Sequence, residues 1–201
     1  MTVNNAESDG IDPTVRFGLF DWIDTNGMET ADLYEQRLKY LEFADQANFY
    51  CYHLAEHHAT PLSMATSPGL FLAAAAQRTS RIRLGPLVYL LPLYDPLRLT
   101  QEICMLDHLT KGRVVMGIGR GYHSREVETF GSPMLDSDAN RELFEEQVEV
   151  ILKAFNEEFF SHEGKHYKIP AKVPYRGYEL EKISLVPRPT HPVQIWQPLV
   201  S

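Results

Sequence analysis

At Ser67-Pro68 and again at Asp95-Pro96 a helix-capping residue stands directly before a proline, and each pair divides an apolar strand-like run from a segment of helical period. Proline is tolerated at the first helical position, and Ser or Asp before it supplies an acceptor for the open amides of the first turn. The alternation extends through most of the 201 residues. Val15–Asp21 reads as a first strand. Tyr34, Leu38, Leu41 and Ala44 then recur at helical spacing behind a start signal of Asp32 and Glu35. Phe49–Ala55 reads as a second strand, and an alanine-rich helix runs from Ser67-Pro68 to about Thr79. Ile82–Leu91 is a near-continuous apolar run of the kind found in parallel strands covered on both faces. Leu99, Ile103 and Leu106 stripe the following helix until Gly112 ends it, Arg113–Ile118 forms a fourth strand, and Phe144, Val148, Ile151 and Phe155 mark a fourth helix.

Four strand-helix units in succession predict an α/β fold built on a parallel sheet. From about Asn156 the rhythm breaks into a predicted hairpin with a Gly-Lys turn and a proline-bearing irregular stretch, before Val193–Trp196 resumes a strand. A closed eight-stranded barrel typically takes about 250 residues. The chain is therefore expected either to form an open sheet of about five strands or to be the first part of something longer. Residues 1–13 are polar and acidic and read as a disordered N-terminal tail, with a single domain over 14–201.

The composition is globular, 44% hydrophobic and 23% charged. A net charge of −8 without a clustered basic stripe argues against nucleic acid and anionic membranes as partners. No stretch approaches the roughly 18 consecutive apolar residues of a membrane span, and a cytoplasmic location is expected. Cys51 and Cys104 each fall inside an apolar pattern and read as reduced core thiols.

The second strand ends in Glu56-His57-His58, one carboxylate and two imidazoles where strand-to-helix loops carry chemistry. Three readings compete. His53, Glu56 and His57 spell the H-x-x-E-H zinc pattern, which needs a helix where the preceding residues are strand-like. The cluster is otherwise ordinary polarity at a strand end, or an acid–base site using imidazole's titration near neutral pH. Gly117-Ile118-Gly119-Arg120-Gly121 lacks the G-x-G-x-x-G spacing of a dinucleotide fingerprint, yet its glycines permit close approach to a ligand. Arg120 among them is either a surface ion-pair residue or a fork of donors for an anionic group.

In combination, AEHH, SPGLFLAAAAQRTSRIRLG, LPLYDPLRLTQEICMLDHLTKGRVVMGIGRG and ETFG resemble the bacterial luciferase-like, flavin-dependent monooxygenases, from about Val15 to Trp196. The resemblance implies a (βα)8 TIM barrel, of which this chain holds about the first four βα units and a fifth strand. It implies reduced FMN supplied by a separate flavin reductase, reacting with O2 to a C4a-peroxyflavin that oxidises an aldehyde or another small organic substrate. His57 then falls on the active-site base, Arg120 with Gly121 on the flavin-phosphate segment, and Leu87 and Val88 on a pair joined by a cis peptide beneath the flavin ring.

The residues' own positions are compatible with this. Tyr89 to Leu91 would floor a flat ring, and Asp21, Trp22, Glu56 and His58 would wall the substrate pocket. No metal is implied, and a homo- or heterodimer is. A deazaflavin-dependent oxidoreductase on the same barrel, or a non-catalytic barrel subunit, are the alternatives. Relatives continue through further strand-helix units that complete the phosphate site, so the chain is expected to be a fragment that alone binds flavin poorly.

Overall fold

A computed structural model describes residues 15–121, 124–131 and 136–198. The expected tail at 1–13 lies outside them. Strands β1 (Gly18–Asp21), β2 (Cys51–Leu54) and β3 (Arg83–Pro86) pair in parallel in the order β1-β2-β3. Strands β4 (Tyr89–Leu90), β5 (Val115–Gly119) and β8 (Gln194–Trp196) form a second parallel set in that order. A bridge between Leu84 and Val114 joins the two. Helices α1 (Thr30–Gln46), α2 (Pro68–Arg78), α3 (Pro96–Thr110), α4 (Ser124–Phe130) and α5 (Ser137–Asn156) connect them. The result is part of a parallel α/β barrel whose sheet does not close among the described residues, with β1 and β8 at its edges.

The pleat sorts each strand's residues between two faces. Tyr52, Leu54 and Leu84 point outward and pack with Leu33 and Leu41 of α1 and Phe71, Leu72 and Ala75 of α2. Val114, Met116 and Ile118 do the same with Leu99 and Ile103 of α3 and Phe144 and Ile151 of α5. The inner face is less covered: Phe20 is 55% exposed, while the His53 ring is buried with its centroid 5.0 Å from that of Trp196 on β8.

Several expected boundaries move. The long third strand is interrupted: Pro86, which has no amide to donate, ends β3, and after the Leu87–Val88 peptide, which is cis, the chain pairs with β5 as β4. Helix α1 begins at Thr30 behind Glu29, ahead of the Asp32 signal. At the two cap-proline pairs the helices start as expected, but only Asp95 makes a cap bond, accepting from the Arg98 amide at 2.8 Å. Lys111 in the left-handed region, followed by Gly112, ends α3. Helix α4 was not legible as a helix because seven residues carry no sustained apolar period. Helix α5 starts at Ser137, where Asp136 accepts from the amides of Asp138 and Ala139.

The excursion after α5 contains the expected hairpin, β6 (His162–Glu163) against β7 (Lys168–Ile169). Its return to the sheet is latched by buried Asp107, whose Oδ2 accepts from the Thr190 amide (2.7 Å), the Thr190 hydroxyl (2.9 Å) and the His191 amide (3.2 Å). Arg188 reinforces the latch by donating to the carbonyls of Glu157 and Phe155. Among the described residues no helix is long and apolar enough to cross a membrane, and both cysteines are buried and free.

Candidate active site

At the carboxyl ends of β2, β4 and β5 a cavity of about 960 Å³ opens. His57, Val88, Arg120 and Gly121, all singled out from the sequence, line it. So do Leu90 and Gly119 from the strand ends, Glu126 of α4, and Arg141, Phe144, Glu145 and Val148 of α5. Helix α5 reaches the cavity because its apolar stripe rests on the sheet while its first turns project beyond the strand ends.

The two adjacent imidazoles have different partners. His57 Nδ1 lies 3.1 Å from Glu126 Oε1, and the same oxygen accepts the His58 amide at 3.2 Å. Burial pushes the Glu126 pKa up, but the hydrogen bonds from His57 and the His58 amide outweigh it and hold the group below the ordinary carboxylate value. An ionised carboxylate only accepts, so Nδ1 of His57 carries the shared hydrogen. His58 is turned away from the cavity: its Nε2 is 2.7 Å from Glu56 Oε1, and its ring meets Phe130 edge-on, centroids 4.9 Å apart. Glu56 is itself 2% exposed and ties the cluster to β4 by accepting the Leu90 amide at 3.1 Å. Tyr94, partly buried, stands close to Glu56. Burial, then the neighbouring Glu56 charge, pushes the Tyr94 pKa far up, so it stays a neutral phenol.

Other expected site residues stand elsewhere. Asp21 accepts from the Tyr52 hydroxyl (2.9 Å) and the Ile23 amide (3.1 Å) and faces Arg37, so it braces β1 against its neighbours and does not wall the cavity. Tyr89 points to the helix side, fully buried, its hydroxyl donating to Glu102 at 3.2 Å; Leu90, one residue on, takes the inward place by strand alternation. Trp22, Glu56, His58 and Leu87 stand next to the lining without joining it, with Trp22 edge-on to His57 at 6.1 Å between centroids. His53 is in strand β2, so the H-x-x-E-H residues do not share a helix.

Sequence reasoning missed Glu126, Tyr94, Arg141, Phe144 and Glu145. The Asp136 cap would have placed Arg141 in the first turns of a helix; nothing local points Glu126 at His57.

The donor set has a clear chemical preference. Arg120 and Arg141 line one cavity, and among the described residues neither guanidinium is paired. Two such forks suit a dianionic group such as a phosphate monoester. Val88, Leu90, Phe144 and Val148 supply apolar walls for a flat ring.

Parallel βα units with a cavity at the strand carboxyl ends are the arrangement in which barrel enzymes place their active sites. The chain belongs to the luciferase-like monooxygenases, whose family model matches residues 15–197. It is 46% identical over 153 residues to protein y4wF of Sinorhizobium fredii, covering 76% of this chain and 44% of that protein. It is 27% identical over 158 residues to the oxygenase component of the flavin-dependent trigonelline monooxygenase of Acinetobacter baylyi, covering 78% of this chain and 43% of that one.

Among solved structures, the oxygenating constituent of 3,6-diketocamphane monooxygenase from Pseudomonas putida, in complex with FMN, superposes with a TM-score of 0.70. The identity is 24%, over 88% of this chain and 50% of that one. An F420-dependent secondary alcohol dehydrogenase superposes with a TM-score of 0.71 at 18% identity, over 90% and 51%. The chain thus spans about half the length of the relatives it matches.

Proposed function

We propose that this chain supplies the phosphate-holding and acid–base face of a flavin-dependent monooxygenase site, with FMN as cofactor and an aldehyde or other small organic molecule as substrate. The carrying observation is the convergence of two guanidiniums, Arg120 and Arg141, unpaired among the described residues, with the His57–Glu126 pair on one apolar-walled cavity. Bound there, reduced flavin would supply electrons to O2, so that one oxygen atom enters the substrate and the other leaves as water.

The chain's own residues do the rest. Arg120 and Arg141 hold the phosphate, with Gly121, whose φ is +67°, letting the backbone turn beside it. Val88 and Leu90 support the ring, Phe144 and Val148 exclude water, and His57 exchanges a proton with the reacting partners. The trigonelline relative is named as an oxygenase component, which supports a separate reductase as the source of reduced flavin. A dimeric assembly and a cytoplasmic location belong to the same proposal.

Anaerobic titration with reduced FMN and reduced riboflavin tests it. FMN is expected to bind at least about tenfold more tightly, the worth of a charge-assisted phosphate contact, and Arg120→Ala with Arg141→Ala should abolish that preference. Equal binding of the two flavins by the unsubstituted chain would refute the assignment. Competition with F420 separates the flavin reading from a deazaflavin one.

A further inference from the structure

We propose that Glu126 is the positioning residue for His57: it holds the imidazole as the Nδ1–H tautomer, leaving Nε2 as the basic nitrogen, and favours the protonated ring once a proton is taken up. The contact is long-range, 69 residues apart in sequence, and joins the loop after β2 to helix α4. Glu126 is fully buried, and its Oε1 reaches both the His57 ring and the His58 amide, so one oxygen fixes the ring and the backbone that carries it. The Trp22 edge bounds the ring at 6.1 Å between centroids.

Charge arrangement selects His57 over His58. His58 has its Nε2 engaged by Glu56 and its ring packed on Phe130, whereas His57 lines the cavity. Arg120, Arg141 and Glu145 line the same cavity. The two guanidiniums disfavour an imidazolium there, and the buried carboxylate opposes them. A carboxylate that orients an imidazole and stabilises its protonated form is how a histidine is made an effective acid–base group. The catalytic consequence rests on the proposed flavin chemistry; the carboxylate–imidazole pair itself does not.

The test uses the chain with 15N-labelled histidine and long-range 1H–15N spectra across pH, His57 being assigned with His57→Gln. Neutral His57 is expected to show the Nδ1–H pattern. In Glu126→Gln its pKa should fall by about one unit, a tenfold change in the ionisation constant, because an opposite charge in contact is lost. Glu126→Asp, which keeps the charge, should restore part of that shift. His162 and His191, held by Glu146 and Asp107, report that the fold is kept in each variant.

An Nε2–H pattern in the unsubstituted chain, or an unchanged His57 titration in Glu126→Gln, overturns the proposal. With reduced FMN, O2 and substrate, Glu126→Gln should shift the pH profile of turnover by the same amount as the titration; a profile that does not move overturns the positioning role. Binding of F420 in preference to reduced FMN, while the spectra show the expected pair, would refute the flavin reading and leave the pair established.

Discussion

Removing the Asp45 side chain should be among the most damaging single changes to this fold, although Asp45 touches nothing in the cavity. At the end of α1, its Oδ1 accepts from the amides of Arg81 (2.7 Å) and Ile82 (2.6 Å). Its Oδ2 accepts from the amide (3.0 Å) and hydroxyl (3.1 Å) of Ser80. These bonds pin the turn between α2 and β3, the strand that leads to Leu87 and Val88 at the cavity. In Asp45→Ala the Ile82 amide is left without a partner in a fully buried residue, costing about 2 kcal/mol. The amides of Ser80 and Arg81, in exposed residues, rehydrate and lose about 1 kcal/mol each, for a total of about 4 kcal/mol. Asp45→Asn keeps one oxygen for Arg81 and Ile82 but turns an NH2 toward the Ser80 donors, and should cost about half as much.

Equilibrium urea unfolding followed by tryptophan fluorescence and circular dichroism measures both. With m of about 2 kcal/mol/M, the alanine variant's midpoint should fall by about 2 M at unchanged m. A loss below about 1 kcal/mol in the alanine variant would refute this account, since it would show the Ile82 amide finding another partner. Equal losses in the alanine and asparagine variants would do the same.

Burial raises the pKa values of Asp45, Asp107, Glu126 and Glu146, but the hydrogen bonds each accepts outweigh it and leave all four depressed. Their stabilisation is therefore complete above the unfolded carboxylate pKa values of about 4 and is lost as pH falls through the lower folded values. The urea midpoint should be flat from about pH 7 to 5 and drop steeply below about pH 4, and a flat acid limb would contradict these assignments. Gly85→Ala should destabilise by about 1–3 kcal/mol, because its Cβ would sit 2.2 Å from the Val115 carbonyl oxygen, a backbone atom that no rotamer change can move. Gly177→Ala, with nothing within 4 Å of the new Cβ, is the matched control, and equal melting temperatures for the two variants would rule out the clash. Burial raises the Cys51 thiol pKa and pushes that of Cys104 up to about 11, so both should react slowly with a thiol reagent at pH 8 in the folded chain and fully on unfolding; rapid labelling in the native state would place them at the surface.

The alternation of strands and helices was legible because its signals are local. Apolar spacing on α3 and α5, Pro68 and Pro96 at first helical positions, and the Asp95 cap each act within a turn or two. The same locality explains the errors. A seven-residue α4 has no period to read, and the Ile82–Leu91 run looked continuous because composition does not record a change of pairing partner from β2 to β5. Strand alternation decides that, of the expected floor Tyr89 to Leu91, Leu90 faces the cavity while Tyr89 turns to the helix side.

For the site, residue types at strand ends marked His57, Arg120 and Gly121 as candidates, and the family resemblance added Val88 and weighed them together; all four line the cavity. Their partners could not be read that way. Glu126 is one acidic residue among 27, and what distinguishes it is burial against an imidazole 69 positions away. Arg141 likewise becomes a cavity residue only when α5 packs on the sheet beside Arg120. The sequence by itself determined the order of elements and the kinds of group available. Tertiary structure decided which histidine meets the cavity and which carboxylate holds it, because hydrogen bonding and desolvation depend on distances between segments that chain order does not encode.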